Sequence, residues 1–342
     1  MDIAIIGDLH LGLKSNSEIF HKISIDYAKW LKTNLNSKKI KQIVFLGDIF
    51  HNREEIGTTT LQTMSDFFEI LKEFDIKIIL GNHDLFYKDK TDISSVSQLN
   101  GWSNIEVISK TKLVELESRK LLFVPWGFSL DELVKADVIF GHFELNNFYQ
   151  TAQKLCEHGL DPDELTKKTN LVFSGHFHMH QITNVKNTKI IYVGSCFENN
   201  WGEMGSEKGF YILNLKSLTY EFIKNTISPV HEKIVLSKFI NNKEYFQEKT
   251  KLIPNNFIKF IVDENIEHDK IEKIGIKIGS LKPVDFNIEF DIIKDDVKVE
   301  ELKSEIYEIK DCFSEYINAL ETSKNKDKLL DIVTRIYQKA TG

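Results

Sequence analysis

Short apolar runs that alternate with helical patterns dominate the first two thirds of the chain. Seven runs have the composition of buried strands: residues 3–6, 43–46, 76–80, 121–124, 138–140, 171–173 and 190–193. Helical patterns lie between the early runs, at residues 20–35 and 60–74. In the second pattern, apolar side chains recur at the spacing of one helix face. The alternation predicts an α/β layered domain over roughly the first 225 residues.

Five of these runs are followed by clusters of residue types that commonly bind metal ions. Each cluster begins with or contains glycine. The clusters are Gly7, Asp8 and His10, then Gly47, Asp48 and His51, then Gly81, Asn82, His83 and Asp84, then Gly141 and His142, and finally Gly175, His176 and His178. Ligands of α/β sheets gather at the carboxyl ends of strands. Carboxylate, amide and imidazole groups suit Mn²⁺, Fe²⁺ or Zn²⁺. One aspartate could bridge two cations roughly 3.5–4 Å apart, so the pattern predicts a dinuclear metal site.

Each cluster has a simpler interpretation when it is taken alone. A lone histidine after a strand is more often a hydrogen-bonded surface or core residue, and a Gly-Asp pair is usually a turn. The recurrence of these residue types at five strand ends favours the metal site over that interpretation.

The bulk properties restrict the class of protein. A net charge of -7 over 342 residues argues against a general polyanion binder, although bound divalent cations would reverse the sign locally. The three cysteines, Cys156, Cys196 and Cys312, are scattered and odd in number, which predicts a reducing compartment. We see no signal peptide and no apolar run long enough to span a membrane. We therefore expect a cytoplasmic protein that has no membrane partner.

The composition changes after Pro229 and indicates three parts. Residues 257–262 and 286–290 resemble strands and flank a helical stretch at 269–278, which predicts a small α+β unit. From Val297 onward two amphipathic stripes predict two helices. We expect domains at 1–228, 229–296 and 297–342. The terminal helices could fold back on their own domain or present a surface to a partner, and the sequence leaves both open.

The motifs Asp8-Leu9-His10, Gly47-Asp48, Gly81-Asn82-His83-Asp84, Gly141-His142 and Gly175-His176-Phe177-His178 resemble the signature of the calcineurin-like metallophosphoesterase superfamily. The resemblance covers roughly the first 200 residues. It implies a four-layer α/β/β/α sandwich, here with a small α+β capping domain and C-terminal helices.

The resemblance also implies a role for each site residue. One metal ion would be held by Asp8, His10, Asp48 and His178. The other would be held by Asp48 as a bridge, together with Asn82, His142 and His176. The family implies two divalent cations, which we expect to be Mn²⁺, with Mg²⁺, Fe²⁺ or Zn²⁺ as alternatives.

Two further residues carry catalytic roles by the same resemblance. His83 would contact the phosphoester and protonate the leaving oxygen, and Asp84 would orient His83 from behind.

Within the superfamily, the Asp48-x-x-His51 spacing looks like the nuclease subunit of double-strand-break repair nuclease–ATPase complexes, in which the matching histidine assists exonuclease catalysis. His51 could equally be a hydrogen-bonded loop residue. Chain length and the terminal helices are similar to bacteriophage recombination endonuclease subunits. That branch implies a DNA substrate, exonuclease with endonuclease activity, and a role in DNA recombination, repair and replication in the host cytoplasm.

The partners of the branch are an ABC-type ATPase subunit, whose coiled coil the terminal helices would bind, and a second copy of the chain, giving a homodimer within a heterotetramer. The helices around residues 20–30 and 61–68 would form the dimer surface, but their apolar faces could equally be core. In cellular relatives a proline-containing turn at this position often borders the DNA and the subunit contact. Residues 52–56 replace that turn here, so the resemblance does not identify the residues that contact DNA. For Lys14 and Arg53, solvated charge and phosphate contact are equally open.

Three functions remain in competition. The leading one is a two-metal DNA nuclease subunit that works with an ATPase. The alternative is a small-molecule or nucleotide phosphodiesterase or phosphatase on the same dinuclear site. The third, a non-enzymatic scaffold, is disfavoured because all seven ligand positions and His83 hold suitable residue types.

Overall fold

A computed structural model describes residues 1–87, 90–264 and 266–291 of the chain. The strands are β1 (Asp2–Ile6), β2 (Gln42–Phe45), β3 (Asp75–Ile79), β4 (Ile105–Ile108), β5 (Lys112–Leu116), β6 (Arg119–Val124), β7 (Val138–His142), β8 (Tyr149–Thr151), β9 (Lys154–Leu155), β10 (Leu171–Gly175), β11 (Gln181–Val185), β12 (Thr188–Tyr192), β13 (Gly209–Asn214), β14 (Tyr220–Lys224), β15 (His231–Val235), β16 (Phe257–Val262) and β17 (Asp285–Phe290). The helices are Glu18–Ser37, Thr58–Ile70, Asp163–Thr166, Leu236–Asn241, Lys243–Leu252 and His268–Ser280, and a left-handed turn lies at Leu13–Asn16.

Two six-stranded sheets form the centre of the fold. The first has the order β14-β13-β1-β2-β3-β4 and the second has the order β11-β12-β10-β7-β6-β5. Strands β1 to β4 are parallel to one another, as are β6, β7, β10 and β12. The remaining strands, β13, β14, β11 and β5, join antiparallel at the edges. The parallel order brings the carboxyl ends of each sheet's central strands to one edge.

Alternation of side chains along each strand separates the layers. In β1, Ile3 and Ile5 belong to the apolar core between the two sheets. Ala4 and Ile6 belong to a second core, on the other face of the first sheet. Successive side chains of a strand point to opposite faces, so a continuous apolar run is required where both faces are covered.

The outer layers differ in thickness. Helices Glu18–Ser37 and Thr58–Ile70 cover the first sheet and bury apolar side chains that include Tyr27 and Phe67. On the second sheet, the covering segments contribute Leu133, Phe143 and Leu165, and the α-helix among them is the four-residue Asp163–Thr166. The result is the predicted four-layer sandwich with a thin fourth layer.

A third sheet follows in the order β15-β16-β17, with all three strands parallel. It packs onto the first part of the chain through Phe257, whose ring stacks on Phe20 at 5.5 Å. Within the third sheet, Phe257 also stacks on His231 of β15 at 4.6 Å. Strands β16 and β17 and the intervening helix occur where the sequence predicts them. The predicted terminal helices lie outside the described residues.

The helices that we considered for a dimer surface have their apolar faces inside the protein. Phe20, Ile23 and Tyr27 are buried on the first helix, as are Met64 and Phe67 on the second. These apolar faces therefore belong to the hydrophobic core, as the alternative to a dimer surface predicted. Among the described residues, no helix is long and apolar enough to cross a membrane.

Candidate metal centre

The clustered polar residues lie at the carboxyl ends of central strands, where the two sheets meet. Asp8 follows β1, Asp48 follows β2 and Asn82 follows β3, all in the first sheet. His142 ends β7 and His176 follows β10 in the second sheet. The side chains from the two sheets converge on one cleft, so the fold brings together residues that are up to 170 positions apart in the sequence.

Backbone strain accompanies this convergence. His10 and Asp48 have φ 51 and His176 has φ 89, in the left-handed region that side chains other than glycine rarely adopt. Such conformations cost about 1–3 kcal/mol each and persist where surrounding contacts impose them. At Gly81 a Cβ would lie 2.2 Å from Asp48 Oδ1, so only glycine allows this carboxylate its position.

The first ligand group consists of Asp8, His10 and His178, whose candidate ligand atoms all lie within 4.8 Å of one another. The Nε2 atoms of His10 and His178 face each other at 2.8 Å. Asp48 Oδ2 lies 3.6 Å from His10 Nε2. The four residues predicted for the first metal ion are therefore together.

The second ligand group consists of Asp48, His142 and His176. Asp48 Oδ2, the atom that lies near His10, is also 3.5 Å from His142 Nε2. The amide oxygen of Asn82 lies 3.0 Å from His142 Nε2 and 2.9 Å from His176 Nδ1. Asp48 thus stands between the two groups, at the position that a bridging carboxylate would occupy.

The donor set fits two divalent cations. Asp8 Oδ2 and His10 Nδ1 are buried and have no hydrogen-bond partner among the described residues. Burial raises the pKa of Asp8 to about 6, against the opposing charge of His178. Burial, and then the charges of Asp8 and Asp84, raise the pKa of Asp48 well above its ordinary value. Carboxylates that are this costly to bury as anions are stabilised by bound cations.

Three of the four ligand imidazoles are held in the neutral form that ligates metals. The fourth, His178, differs, because burial lowers its pKa but the hydrogen bond and charge of Glu203 outweigh burial and raise it. Burial lowers the pKa values of His10 and His142 well below the ordinary value and that of His176 to about 3. These rings are therefore neutral, as a metal ligand requires. His142 Nδ1 donates to the carbonyl oxygen of Leu46 at 2.7 Å, which leaves Nε2 free to accept.

A buried charge network lies behind His178. The ring contacts Glu203 Oε1 through Nδ1 at 2.8 Å, and Lys208 Nζ donates to Glu203 Oε2 at 2.6 Å. Burial opposes ionisation of Glu203, but hydrogen bonds from His178 and Lys208 together with their charges lower its pKa to about 2. A carboxylate behind a ligating histidine fixes the orientation of the ring. Glu203 and Lys208 lie 25 and 30 residues after His178, and their spacing in the sequence gives no signal of this contact.

Trp126 and Glu144 also border the centre. The Trp126 ring lies 5.0 Å from the ring of His176 and 5.9 Å from that of His142. Glu144 Oε1 lies 3.9 Å from His176 Nε2. Glu144 follows the Gly141-His142 motif by two residues, and that proximity is the one signal by which it could have been found.

The structure corrects the role predicted for Asp84. Its carboxylate accepts backbone N–H groups from Gly81, Asp48 and Ile49 at 2.8–2.9 Å, and a longer one from Phe50. No hydrogen bond joins it to the His83 ring in the described part of the chain. Asp84 therefore holds together the two turns that carry Asp48 and Asn82, because the N–H groups of both turns point inward at its position.

His83 and His51 lie side by side next to the first ligand group. Their rings are stacked with centroids 5.8 Å apart, and the His83 ring is 4.9 Å from that of His10. His83 Nδ1 donates to the backbone carbonyl of His51 at 2.6 Å. Burial lowers the pKa of His83, and the bond to this carbonyl opposes that effect. The cationic groups of Arg53 and Lys14 act electrostatically on His83 and His51 respectively, which places both near the rim.

Comparison with known proteins agrees with this geometry. The sequence profile of the "Calcineurin-like phosphoesterase superfamily domain" matches residues 1–217, more than half of the chain. The chain belongs to the calcineurin-like phosphoesterase superfamily. Members of this superfamily use divalent metal ions, and the chain is accordingly a metal-dependent phosphoesterase.

Among individual proteins, the phosphoesterase chain is 27% identical over 359 aligned positions to "Exonuclease subunit 1" of Enterobacteria phage T4, and the alignment covers 100% of both chains. It is 22% identical over 302 residues to an uncharacterized protein of Acanthamoeba polyphaga mimivirus. That alignment covers 81% of this chain and 22% of the viral protein.

Two solved structures also align with the phosphoesterase chain. One is a novel archaeal phosphodiesterase, with 15% identity, 66% of this chain and 100% of that chain covered, and a TM-score of 0.38. The other is wild-type Vps29 of Entamoeba histolytica complexed with zinc, with 12% identity, 66% and 99% coverage, and a TM-score of 0.31. Both TM-scores are too low to add to the family assignment.

Proposed function

We propose that this phosphoesterase is a two-metal DNA nuclease subunit with exonuclease and endonuclease activity. The observation that carries the proposal is the position of Asp48 Oδ2, 3.6 Å from a ring nitrogen of the first ligand group and 3.5 Å from one of the second. In the proposal, Asp8, His10 and His178 hold one cation, Asn82, His142 and His176 hold the other, and both share Asp48. A pair of cations held in this way would activate water and offset charge on the phosphoryl oxygens.

His83 is proposed as the group that gives a proton to the leaving oxygen. A carbonyl oxygen can only accept, so the bond to the His51 carbonyl assigns the proton of His83 to Nδ1. To act as the acid, the ring must also carry a proton on Nε2; that proton passes to the leaving oxygen, and the neutral ring keeps its proton on Nδ1. His51 stacks against this ring and is proposed to position the DNA end, in agreement with the Asp48-x-x-His51 spacing. Asp84 supports both residues indirectly by holding the Asp48 turn.

DNA is favoured over a small phosphodiester by similarity along the whole chain. The T4 protein is called an exonuclease, and its alignment continues past residue 217, where the superfamily domain ends, to the end of this chain. A small phosphodiesterase would not need the third sheet and the segment beyond it. The cations Lys14 and Arg53 near the rim are available for phosphate groups.

The T4 protein is also called a subunit, and this supports partners for the present chain. We propose an ABC-type ATPase as the partner and a homodimer of this chain within the complex. The proposed domains are 1–228 for catalysis, 229–296 as a cap that faces DNA, and 297–342 for binding the ATPase. Deleting residues after 296 should abolish co-purification with the ATPase and leave hydrolysis of a small phosphodiester intact. Retained co-purification would move the interface elsewhere.

The substrate is tested by a series of Mn²⁺ and Mg²⁺ concentrations with two substrates, end-labelled duplex DNA and bis(p-nitrophenyl) phosphate. We expect Mn²⁺-dependent shortening of DNA. Hydrolysis of the small ester or of nucleotides alone, with DNA left intact with and without the ATPase, would favour the small-molecule alternative.

The role of His83 is tested by His83→Asn. This change should lower DNA cleavage by about 10²–10⁴-fold, the usual contribution of general acid catalysis, with Mn²⁺ binding retained. An unchanged cleavage rate would remove His83 from the proposal. His51→Asn is the companion variant, and it should slow removal of terminal nucleotides more than it weakens Mn²⁺ binding.

A further inference from the structure

A basic concavity of about 890 Å³ lies at the amino ends of the strands of the second sheet. Its walls carry seven cationic side chains and one carboxylate, that of Asp137. The cations are Arg119, Lys120, Lys135, Lys167, Lys168, Lys186 and Lys189. This concentration of positive charge contrasts with a chain whose net charge is -7.

Four of these lysines have no carboxylate partner among the described residues. In the part of the chain that the structure describes, Lys120, Lys135, Lys168 and Lys189 form no salt bridge, whereas the other three cations each pair with an acidic group. Arg119 has a structural role, because its guanidinium donates to the backbone carbonyls at 215 and 216 as well as to an aspartate. We define the four lysines as the basic row.

The register of the sheet sets the spacing of the basic row. Lys120 lies on β6, Lys135 and Lys168 lie in the segments that lead into β7 and β10, and Lys189 lies on β12. These four strands are neighbours in the sheet, and Lys189 is directly opposite Leu171 of β10. Three strand spacings of about 4.8 Å put the backbones of Lys120 and Lys189 roughly 14 Å apart. With an axial rise of about 3.4 Å per phosphate, this distance corresponds to about four steps along one strand of duplex DNA. Lys120 lies on the face of Leu122, and Lys189 lies on the opposite face, that of Ile191, so the row crosses the end of the sheet.

The basic row is remote from the metal centre. Strand β10 has Leu171 at its amino end, beside the row, and His176 directly after its carboxyl end. At about 3.3 Å per residue, five residues place them roughly 17 Å apart. The lysines therefore cannot contact the phosphate at the metal centre, and the row is a separate site.

We propose that the basic row binds the phosphate backbone of nucleic acid as a second contact, away from the catalytic cleft. The four charges extend over a distance larger than one phosphate group. This favours a polyanion with regularly spaced charges over a single phosphate. The Tyr220 ring lines the same concavity, packs against Phe173 and Tyr211, and supports the Lys189 side chain, whose Nζ lies 5.5 Å from the ring centroid. The inference extends the proposed DNA substrate, but binding at the row does not depend on cleavage.

The experiment compares two variants with equal loss of charge. The test variant carries Lys120→Gln, Lys135→Gln, Lys168→Gln and Lys189→Gln. The control carries Lys22→Gln, Lys29→Gln, Lys32→Gln and Lys72→Gln, which remove the same charge from the helical side of the first sheet. Binding of a labelled duplex is measured by anisotropy in EDTA, which prevents cleavage, over a series of KCl concentrations.

If all four lysines contact phosphates, the slope of log affinity against log salt should fall by about 3.6 in the test variant, since each contact contributes about 0.9. Affinity at low salt should fall by at least about tenfold, while the control keeps the wild-type slope. Hydrolysis of bis(p-nitrophenyl) phosphate should be unchanged in the test variant. Two half-variants, Lys120→Gln with Lys135→Gln and Lys168→Gln with Lys189→Gln, should each show about half the change in slope and serve if the fourfold variant does not fold.

An unchanged slope in the test variant, or an equal loss in the control, would overturn the proposal. So would loss of affinity for a polyglutamate peptide with DNA affinity retained, because the row would then recognise an acidic protein. DNA binding through the row in a protein that cleaves no DNA would refute the nuclease and leave the row intact. DNA cleavage together with unaltered DNA binding in the test variant would refute the role of the basic row and leave the proposed nuclease intact.

Discussion

Replacement of Lys208 by methionine tests the buried network behind the metal centre. The ammonium group donates to Glu203 Oε2 at 2.6 Å, to the carbonyl of His178 at 2.8 Å and to Ser195 Oγ at 2.8 Å. The side chains of Lys208 and Glu203 are each 6% exposed. Methionine fills similar volume but leaves the carboxylate without its cation.

The expected cost follows from the burial of the pair. Removing one partner of a buried ion pair typically destabilises a protein by about 3–5 kcal/mol. Glu203 keeps its contacts with His178 and Ser195, so we expect the lower end, about 3 kcal/mol. Unfolding entropy of about 2.1 cal/mol/K per residue gives roughly 0.6 kcal/mol/K for the unit Met1–Phe290. The midpoint of thermal unfolding should therefore fall by about 5 °C.

The assay is thermal and urea unfolding of the metal-free protein, so that changes in metal affinity do not enter. Lys22→Met serves as the control, because the pair of Lys22 with Asp26 is exposed and should contribute nothing measurable. The double variant Glu203→Gln with Lys208→Met should lose less stability than the sum of the two single variants, by about 1 kcal/mol or more. Strict additivity, or a Lys208→Met protein as stable as wild type, would refute the reasoning.

Two further substitutions test the turns that carry the ligands. Gly81→Ala should destabilise the fold by about 1–3 kcal/mol and weaken Mn²⁺ binding, because the new Cβ would meet Asp48 Oδ1 at 2.2 Å; isothermal titration with wild-type affinity would contradict this. Burial raises the pKa of Asp84 to about 7, so above that pH, where the carboxylate is charged, Asp84→Asn should cost about 1.5–3 kcal/mol, because an acceptor of backbone N–H groups is lost and an amide donor faces them instead. Urea unfolding measures that loss, and His83→Asn, which removes no such acceptor, should unfold near the wild-type midpoint.

Much of the fold could be predicted from periodicity. The seven predicted strands all occur, with bounds shifted by at most two residues, because runs such as residues 43–46 must cover two faces of a buried sheet. The second helix ends at Ile70 although the prediction extended it to 74, since Leu71 and Phe74 remain in the core after the helix has stopped. Edge strands such as β5 and β14 were missed, because exposed positions interrupt their apolar pattern.

The candidate site could be predicted at the level of residue types, and the structure brings all the predicted ligands together. The contacts that hold each ligand in place from behind could not be predicted from the sequence. The Asp84 carboxylate reaches backbone N–H groups of the Asp48 turn, some 35 residues away, rather than the neighbouring His83 ring. Glu203 reaches His178 across 25 residues. Such contacts depend on how turns pack, which local patterns do not encode.

The sequence alone determined the chemistry at each strand end: a glycine that permits a tight turn, followed by an oxygen or nitrogen ligand. These properties are local, and they hold wherever the strand lies. The tertiary structure decided which ends meet. Pairing of β1, β2 and β3 in one sheet and of β7 and β10 in the other places Asp48 Oδ2 between the two ligand groups. The same strand order assembles the four lysines of the basic row at the opposite edge. Both arrangements depend on strand order, which is a property of long-range packing.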